Sequence, residues 1–499
     1  MPDYIYFNTE PNVNILGLAP IIKGFFVQEM EDLGGAKLSD FIYELQDGTF
    51  NAGCKKKEWN KMSEIFLQKF LDDHTFPATL SSLLEERGQK LYDTCFEIFG
   101  KIESNSITLD EKKQHLLELF KLFADMCVPG LVAPTIEFAN GGMTNKIKEI
   151  LDTKDLEILG MTTGEALVLL TQSPKITWTD KAREALYHLA QELYEEDVDI
   201  HNVEESQKDR VKMYITQWGW VHYGYCGPEY TIQNVLDELE IIFEKKESPV
   251  DQIEYAKKEL HKKMEKQEAL FKKLDMNADE RYIITAAQDF GYTKSYRASL
   301  MSLANLTINT LLKEYTKKEG YSFGQMGVCT AEEVCSYLRG EKPLPDVDTL
   351  NKRMQFSVFF SGLGIDKVIV GSEAKKWVAD NVEQEEVDRD MTEIPGTVAC
   401  SGDEDVVRGV AKIVLRSDDL AKVTQGDVII STTTIPEYVP AMRRASAIAT
   451  ETGGLTCHAA IVSREMNKPC LIGIKHVTQI FKDGDHVEVD LKNSLIKKI

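Results

Sequence analysis

Residues 445–473 read ASAIATETGGLTCHAAIVSREMNKPCLIG. The apolar run from Ala447 to Ala449 has the character of a buried strand, and it leads into Gly453 and Gly454. Ala459, Ala460, Ile461 and Val462 then predict a helix that begins near Thr456 and stops at Pro469. His458 falls in the first turn of that helix, directly after the diglycine turn. The N–H groups of a first helical turn lack intrahelical partners, and the positive end of the helix dipole lies there. Glycines let a phosphoryl group approach the backbone with no Cβ in the way, so Gly453 and Gly454 are candidate phosphate-binding residues. The same field disfavours an imidazolium, which leaves the ring neutral, as a nucleophilic nitrogen must be. Taken alone, a histidine at a helix start is more often a cap or a packed residue than a catalytic one.

On either side lie further short β-rich runs: GVAKIVL and GDVIIST before the segment, HVEVDL after it. Their alternation with one or two helical stretches predicts a compact α/β domain over 394–499. Residues 366–393 are expected to be a linker. They include KVIVG, a short strand at 367–371, and enter the acidic EQEEVDRDMTEIPG at 383–396, which Pro395 and Gly396 break. Residues 1–365 read as helical. Ala182, Ala185, Leu186, Leu189 and Leu193 recur at helical spacing behind a cap at Thr179 or Asp180. Ile253, Leu260, Met264, Phe271 and Leu274 form one apolar stripe on a lysine- and glutamate-rich helix, and Leu300, Leu303, Ala304, Leu311 and Tyr315 form another that ends at Gly320.

The segment around His458 resembles the phosphohistidine, or swivelling, domain of the phosphoenolpyruvate-utilising enzymes, a family that includes phosphoenolpyruvate synthase, pyruvate phosphate dikinase and rifampicin phosphotransferase. Thr450 or Thr452, then Gly453, Gly454, Thr456, Cys457, His458, Ala459, Ala460, Ile461, Arg464, Glu465, Pro469 and Gly473 fall on its signature. Gly396, Arg408-Gly409-Val410 and GDVIISTTTIPEYVPAM match it upstream, so the likeness covers 394–490. The closing VDLKNSLIKKI departs from the pattern by lacking glycines after Val489-Asp490.

The resemblance implies a multidomain chain: a large, mostly α-helical N-terminal region followed by a C-terminal β/β/α sandwich. It implies that His458 is the phosphorylated nucleophile, that Thr456 hydrogen-bonds the imidazole or the phosphoryl group, and that Arg464 stabilises the charged state. Thr456 reads equally as a helix cap, and Arg464 as a surface ion-pair partner. No ATP-grasp phosphate loop is recognisable, and a (β/α)8 barrel needs about 250 residues. A separate ATP-grasp or other phosphoryl-donor protein is therefore expected, with Mg²⁺ accompanying the donor nucleotide, and a small molecule as acceptor. The alternative is a non-catalytic phosphocarrier whose phosphorylated histidine controls partner binding.

Composition narrows the field. With 43% hydrophobic and 28% charged residues, no apolar run of about 20 residues and no secretory leader, the chain is expected to be cytoplasmic and to have no membrane contact. A formal charge of −23 opposes binding to nucleic acid. The nine cysteines stand singly with no zinc-ligand spacing, so no metal site is expected.

Within the helical part, QWGWVHYGYCGPEYT at 217–231 is the most site-like stretch. Trp218, Trp220, His222, Tyr223 and Tyr225 suit a pocket for a flat or apolar acceptor, or else an aromatic core at a helix junction. Arg281 and Arg297, with Tyr282, Tyr292 and Tyr296 nearby, are a second candidate: a clamp for an acidic or phosphorylated acceptor, or ordinary surface pairing.

Overall fold

In the computed structural model the described residues are 2–499, except 12–14, 26–27, 47, 141, 226, 245–247, 363–364, 384–386, 403, 435–437 and 454–456. The N-terminal region is mostly helical, but it is built on a sheet that the helical reading of 1–365 does not contain. Strands β1 (Tyr4–Pro11), β2 (Asp40–Gln46), β3 (Thr49–Lys55), β4 (Phe356–Gly362) and β5 (Ile365–Val370) form an antiparallel sheet of order β1-β3-β2-β4-β5. Both faces of β2 are covered, so residues on each side of the strand are buried. Phe41, Tyr43 and Leu45 join the helical core on one face, while Ile42 packs on the other with Val358, Ile369 and Ala374. Glu44, also on that second face, accepts hydrogen bonds from Tyr6 and Asn51. Gly48 turns the β2–β3 hairpin at φ 82°, which suits a residue with no Cβ.

The helices of residues 56–355 are thus an insertion between β3 and β4. Their axis is the 42-residue helix Ala278–Glu319. Asn277 caps its start with Glu280 in a reciprocal box, and Gly320 ends it at φ 74°. Leu300, Leu303, Ala304, Leu311 and Tyr315 are buried along it, as their spacing requires. Helix Trp178–Glu195 is capped by Thr177, not by Thr179 or Asp180. Asp180 stands instead at the third helical position and reaches back to the cap N–H. In helix Pro249–Lys273 the apolar stripe is buried at its ends through Ile253 and Phe271, whereas Met264 near the middle is 39% exposed.

The 366–393 stretch is not uniformly a linker. It holds most of β5 and helix Gly371–Asn381, whose Ala374 and Trp377 cover the sheet's second face.

Eight more strands follow: β6 (Glu393–Pro395), β7 (Thr397–Cys400), β8 (Val406–Ile413), β9 (Val428–Ser431), β10 (Ala447–Thr450), β11 (Cys470–Ile472), β12 (His486–Asp490) and β13 (Leu495–Lys498). They form one mixed sheet of order β6-β13-β12-β8-β9-β10-β11-β7, parallel from β8 to β11 and antiparallel elsewhere. Period-two alternation feeds two cores. Val428, Ile430, Ala447, Ala449 and Leu471 point to one, shared with Val487, Val489 and Ile496 of β12 and β13. Ile429, Ile448, Cys470 and Ile472 point to the other, beneath Ala459 and Ala460 of helix His458–Glu465. The closing β12–β13 hairpin forms without the missing glycines, with Ser494 at φ 58° and Asp490 accepting from the Asn493 backbone and side chain.

Gly409 on β8 faces the end of the β8–β9 connection, where a Cβ would lie 2.6 Å from the Gly426 carbonyl oxygen and 3.0 Å from Val428 Cγ2. Because the nearest atom is backbone, Gly409→Ala is expected to destabilise the domain by about 1–3 kcal/mol, read as a lower denaturation midpoint at unchanged m-value. An unchanged midpoint would contradict the β8–β9 packing.

Candidate functional site

β10 ends at Thr450, which is fully buried and donates its hydroxyl to the Thr452 carbonyl at 2.9 Å. Past the strand, Glu451 N–H donates to the Ser431 carbonyl and Thr452 N–H to that of Thr432, both at 2.9 Å. Thr452 Oγ1 donates to the same Thr432 carbonyl at 2.8 Å. The end of β9 is itself fixed, since the buried Ser431 hydroxyl lies 2.6 Å from both the Val414 and Thr433 carbonyls. The Glu451 carboxylate accepts from the backbone N–H and hydroxyl of Thr478, which ties the turn to helix Val477–Ile480. On its other side, Ile474 N–H donates to the Thr450 carbonyl at 3.0 Å.

The chain then turns at Gly453, with φ 123°, where a Cβ would stand 2.7 Å from Cys457 Sγ. Only glycine adopts this turn without strain. Gly473, at φ 67°, lies beside it: a Cβ there would be 3.7 Å from the Gly453 carbonyl oxygen. Helix His458–Glu465 begins at His458 itself, two residues later than the sequence spacing predicts. Ala459 and Ala460, 1% and 0% exposed, hold its first turn on the sheet, and Cys470 Sγ sits 3.9 Å from the Ala459 carbonyl oxygen. Gly454 and Thr456 lie outside the described residues, as do the side chains of His458 and Arg464. What is placed is the His458 backbone, at the head of a helix that follows a pinned turn.

Sequence reading reaches Thr452, as the alternative to Thr450 ahead of the diglycine, but not Glu451, Thr432 or Thr478. The signal for Glu451 and Thr452 was only their place just ahead of the diglycine, and nothing in the sequence joins Thr478 to them.

Residues 423–494 hold parallel strands, a glycine turn and a histidine at a helix head. They match the family model described as PEP-utilising enzyme, mobile domain. Over 91 residues, 18% of this chain and 12% of that protein, the chain is 44% identical to a probable phosphoenolpyruvate synthase of Archaeoglobus fulgidus. It is 40% identical over 116 residues to the phosphoenolpyruvate synthase of Pyrococcus furiosus, which covers 23% of this chain and 14% of that protein. The phosphoenolpyruvate synthase of Pseudomonas aeruginosa is 40% identical over 106 residues, 21% of this chain and 13% of that protein. The chain thus spans about an eighth of the length of these relatives. A solved structure, aconitase X of Thermococcus kodakaraensis in its holo form, aligns with 22% of this chain and 99% of that one at 12% identity and a TM-score of 0.18, too slight a likeness to assign a fold.

The 217–231 segment folds as a packed aromatic junction. Trp220 is 2% exposed, donates its indole N–H to the Gln217 carbonyl at 2.8 Å, and meets Trp178 edge-on at 5.5 Å. Trp218 also packs against Trp178, with ring centroids 6.4 Å apart. Tyr223 is buried with its hydroxyl 3.0 Å from Asn309 Nδ2, and Tyr225 lies against the main helical core. His222 stacks on Tyr230 at 4.3 Å, and the Tyr230 hydroxyl donates to Glu238 at 2.5 Å. The indoles fill the junction rather than wall an open pocket.

Arg281 and Arg297 do not form a clamp, since sixteen positions on one straight helix separate them by about 24 Å. Arg281 lies over Phe271 and pairs with Glu268, while Arg297 reaches the Gly130 carbonyl. Among the described residues, no group of three or more His, Cys, Asp or Glu could hold a metal ion, and no helix is long and apolar enough to cross a membrane.

Burial holds the His222 imidazole below its ordinary pKa, against an opposing pull from Glu238. The unfolded ring protonates first as pH falls, so the stability of the neutral buried ring is fully present above about pH 6.5 and is lost on acidification below it. His222→Gln is expected to flatten that acid limb by up to about 1.4 kcal/mol per pH unit in melts recorded from about pH 7 to pH 5. An unchanged slope would show that the ring is solvated.

Proposed function

We propose that this chain is a phosphotransfer component in which His458 takes up a phosphoryl group and passes it to a small-molecule acceptor. The observation that carries the reading is the position of His458 at the head of its helix, behind a turn pinned to β9, inside the segment that matches the mobile domain of phosphoenolpyruvate-utilising enzymes. A neutral imidazole nitrogen attacks phosphorus in line with the leaving oxygen. A P–N bond forms as the P–O bond to the donor breaks, and the second transfer reverses this toward the acceptor. The first-turn N–H groups receive the phosphoryl oxygens, with Gly453 and Gly454 giving access, Thr456 bonding the ring or the phosphoryl group, and Arg464 balancing charge.

The donor in this reading is ATP, delivered through a separate ATP-grasp protein. Mg²⁺ belongs with the nucleotide on that protein and neutralises its phosphates there; no residue of this chain is assigned to it. The body 394–499 acts as the arm that carries the phosphoryl group between donor and acceptor.

The test is to incubate the full chain with labelled ATP, with labelled phosphoenolpyruvate, and with each plus a lysate as donor source. The expected result is an acid-labile, base-stable label on the wild type and none on His458→Ala, with far-UV spectra that agree. Label of the same lability and extent on His458→Ala would overturn the assignment.

A further inference from the structure

Part-buried arginines in this chain meet one of two fates. Some pair with acids: Arg353 donates to both Glu333 carboxylate oxygens at 2.7 and 2.8 Å, and Arg87 forks onto Glu29. Others spend every nitrogen on carbonyls, as Arg444 does with those of Val423, Pro440 and Leu420. Arg297 does neither. Its Nη1 donates to the Gly130 carbonyl at 3.2 Å, its Nε is buried with no partner, and among the described residues no carboxylate pairs with it. Taking a guanidinium out of water without an anion is costly. A chain with 81 acidic residues against 58 basic ones has no shortage of partners to put there.

The surroundings hold the charge in place without neutralising it. The arginine stem lies across Gly130, where a Cβ would come 2.7 Å from Cδ. Cys127 and Tyr225 are its titratable neighbours, and burial pushes the guanidinium pKa down. The residue nonetheless keeps part of its surface open.

Another buried polar group stands eight positions along the same helix, turned to helix Ile15–Lys23, where a Cβ on Gly17 would lie 2.6 Å from Asn305 Oδ1, and so outside the surroundings of Arg297. Asn305 is 1% exposed, and neither its amide oxygen nor its amide nitrogen has a hydrogen-bond partner. Between and beyond these two residues, the helix binds the aromatic segment: Gly224 N–H donates to Ser302 Oγ at 3.2 Å, and Asn309 donates to the Tyr223 hydroxyl. The two stretches that sequence marked as acceptor candidates therefore meet on one helix, with Tyr225 beside Arg297.

We infer that Arg297 is the cation of an anion-binding site in the helical region, set between helix Ala278–Glu319 and the end of helix Leu109–Gly130, which takes the carboxylate or phosphate of a small molecule. A planar guanidinium with free N–H groups suits a two-oxygen anion. Naming this as the place where the acceptor sits rests on the phosphotransfer reading above; the anion site itself does not.

The test is thermal melting of the full chain in inorganic phosphate and in sodium benzoate, each against sodium chloride at matched ionic strength. A saturable rise in Tm with one of them, absent in Arg297→Gln, is the expected result, and the responding anion tells phosphate from carboxylate. No rise beyond chloride with either anion, or the same rise in Arg297→Gln, would show that Arg297 only caps the preceding helix. Should Arg297→Gln fail to fold, titration calorimetry on Arg297→Lys decides: Kd weaker by about tenfold or more supports the site, and an unchanged Kd overturns it. His458→Ala is expected to bind the anion as the wild type does, so loss of phosphorylation and loss of anion binding are separate outcomes.

Discussion

Glu451 and Thr452 donate their backbone N–H groups to the carbonyls of Ser431 and Thr432, which extends the pairing of β9 and β10 into the turn that leads to His458. A strand that ended its ladder at Thr450 would release a glycine-rich loop, and glycine has more backbone freedom to lose than any other residue. Here the loop inherits the rigidity of the sheet for two residues more, and the Glu451–Thr478 contact anchors it from the far side. Gly453 then makes its turn from a fixed start, and Ala459 and Ala460 lock the first helical turn onto Ile448 and Ile472. Glu451 to Gly453 ahead of the histidine and the helical turn behind it are thus each fixed to the sheet, which is the kind of preorganisation that positioning chemistry needs.

The same sheet explains why this domain presents a helix head at all. Parallel strands β8 to β11 require crossovers, and the β10–β11 crossover is the helix that His458 opens. Binding where strand ends meet helix starts is the general habit of such sheets. Antiparallel β12 and β13 close the opposite layer, so both faces are buried and the exposed business is left to the ends of the strands.

Much of this was legible in the sequence because local signals and tertiary context agree there. Each short β-rich run in 394–499 became a strand, and Gly453, the His458 backbone and the two alanines fell in register with turn and helix. Legibility failed where context decides. β2 and β4 each bury a polar residue, Glu44 and Ser357, that interrupts the apolar run a strand reading looks for, and the two strands pair across some three hundred residues of chain. The cap of helix Trp178–Glu195 was misplaced because Thr179 and Asp180 are as good capping residues as Thr177, and only the reciprocal bond from Asp180 tells them apart. The aromatic residues of 217–231 suit a pocket or a helix-junction core equally by composition, and it is the contact of both tryptophans with Trp178, forty residues upstream, that makes them a junction. No spacing rule finds that, nor the missing counter-charge at Arg297.

The central claim is that the covalent intermediate is a phosphohistidine at one position. The most direct measurement is tandem mass spectrometry of the chain after incubation with ATP and a donor-containing lysate, digested and separated at alkaline pH so that a phosphoramidate survives. The account predicts a phosphorylated peptide whose fragments place the group on His458 and which loses it in acid. Phosphate localised to a serine, threonine or other histidine, with the His458 peptide recovered only unmodified, would contradict it.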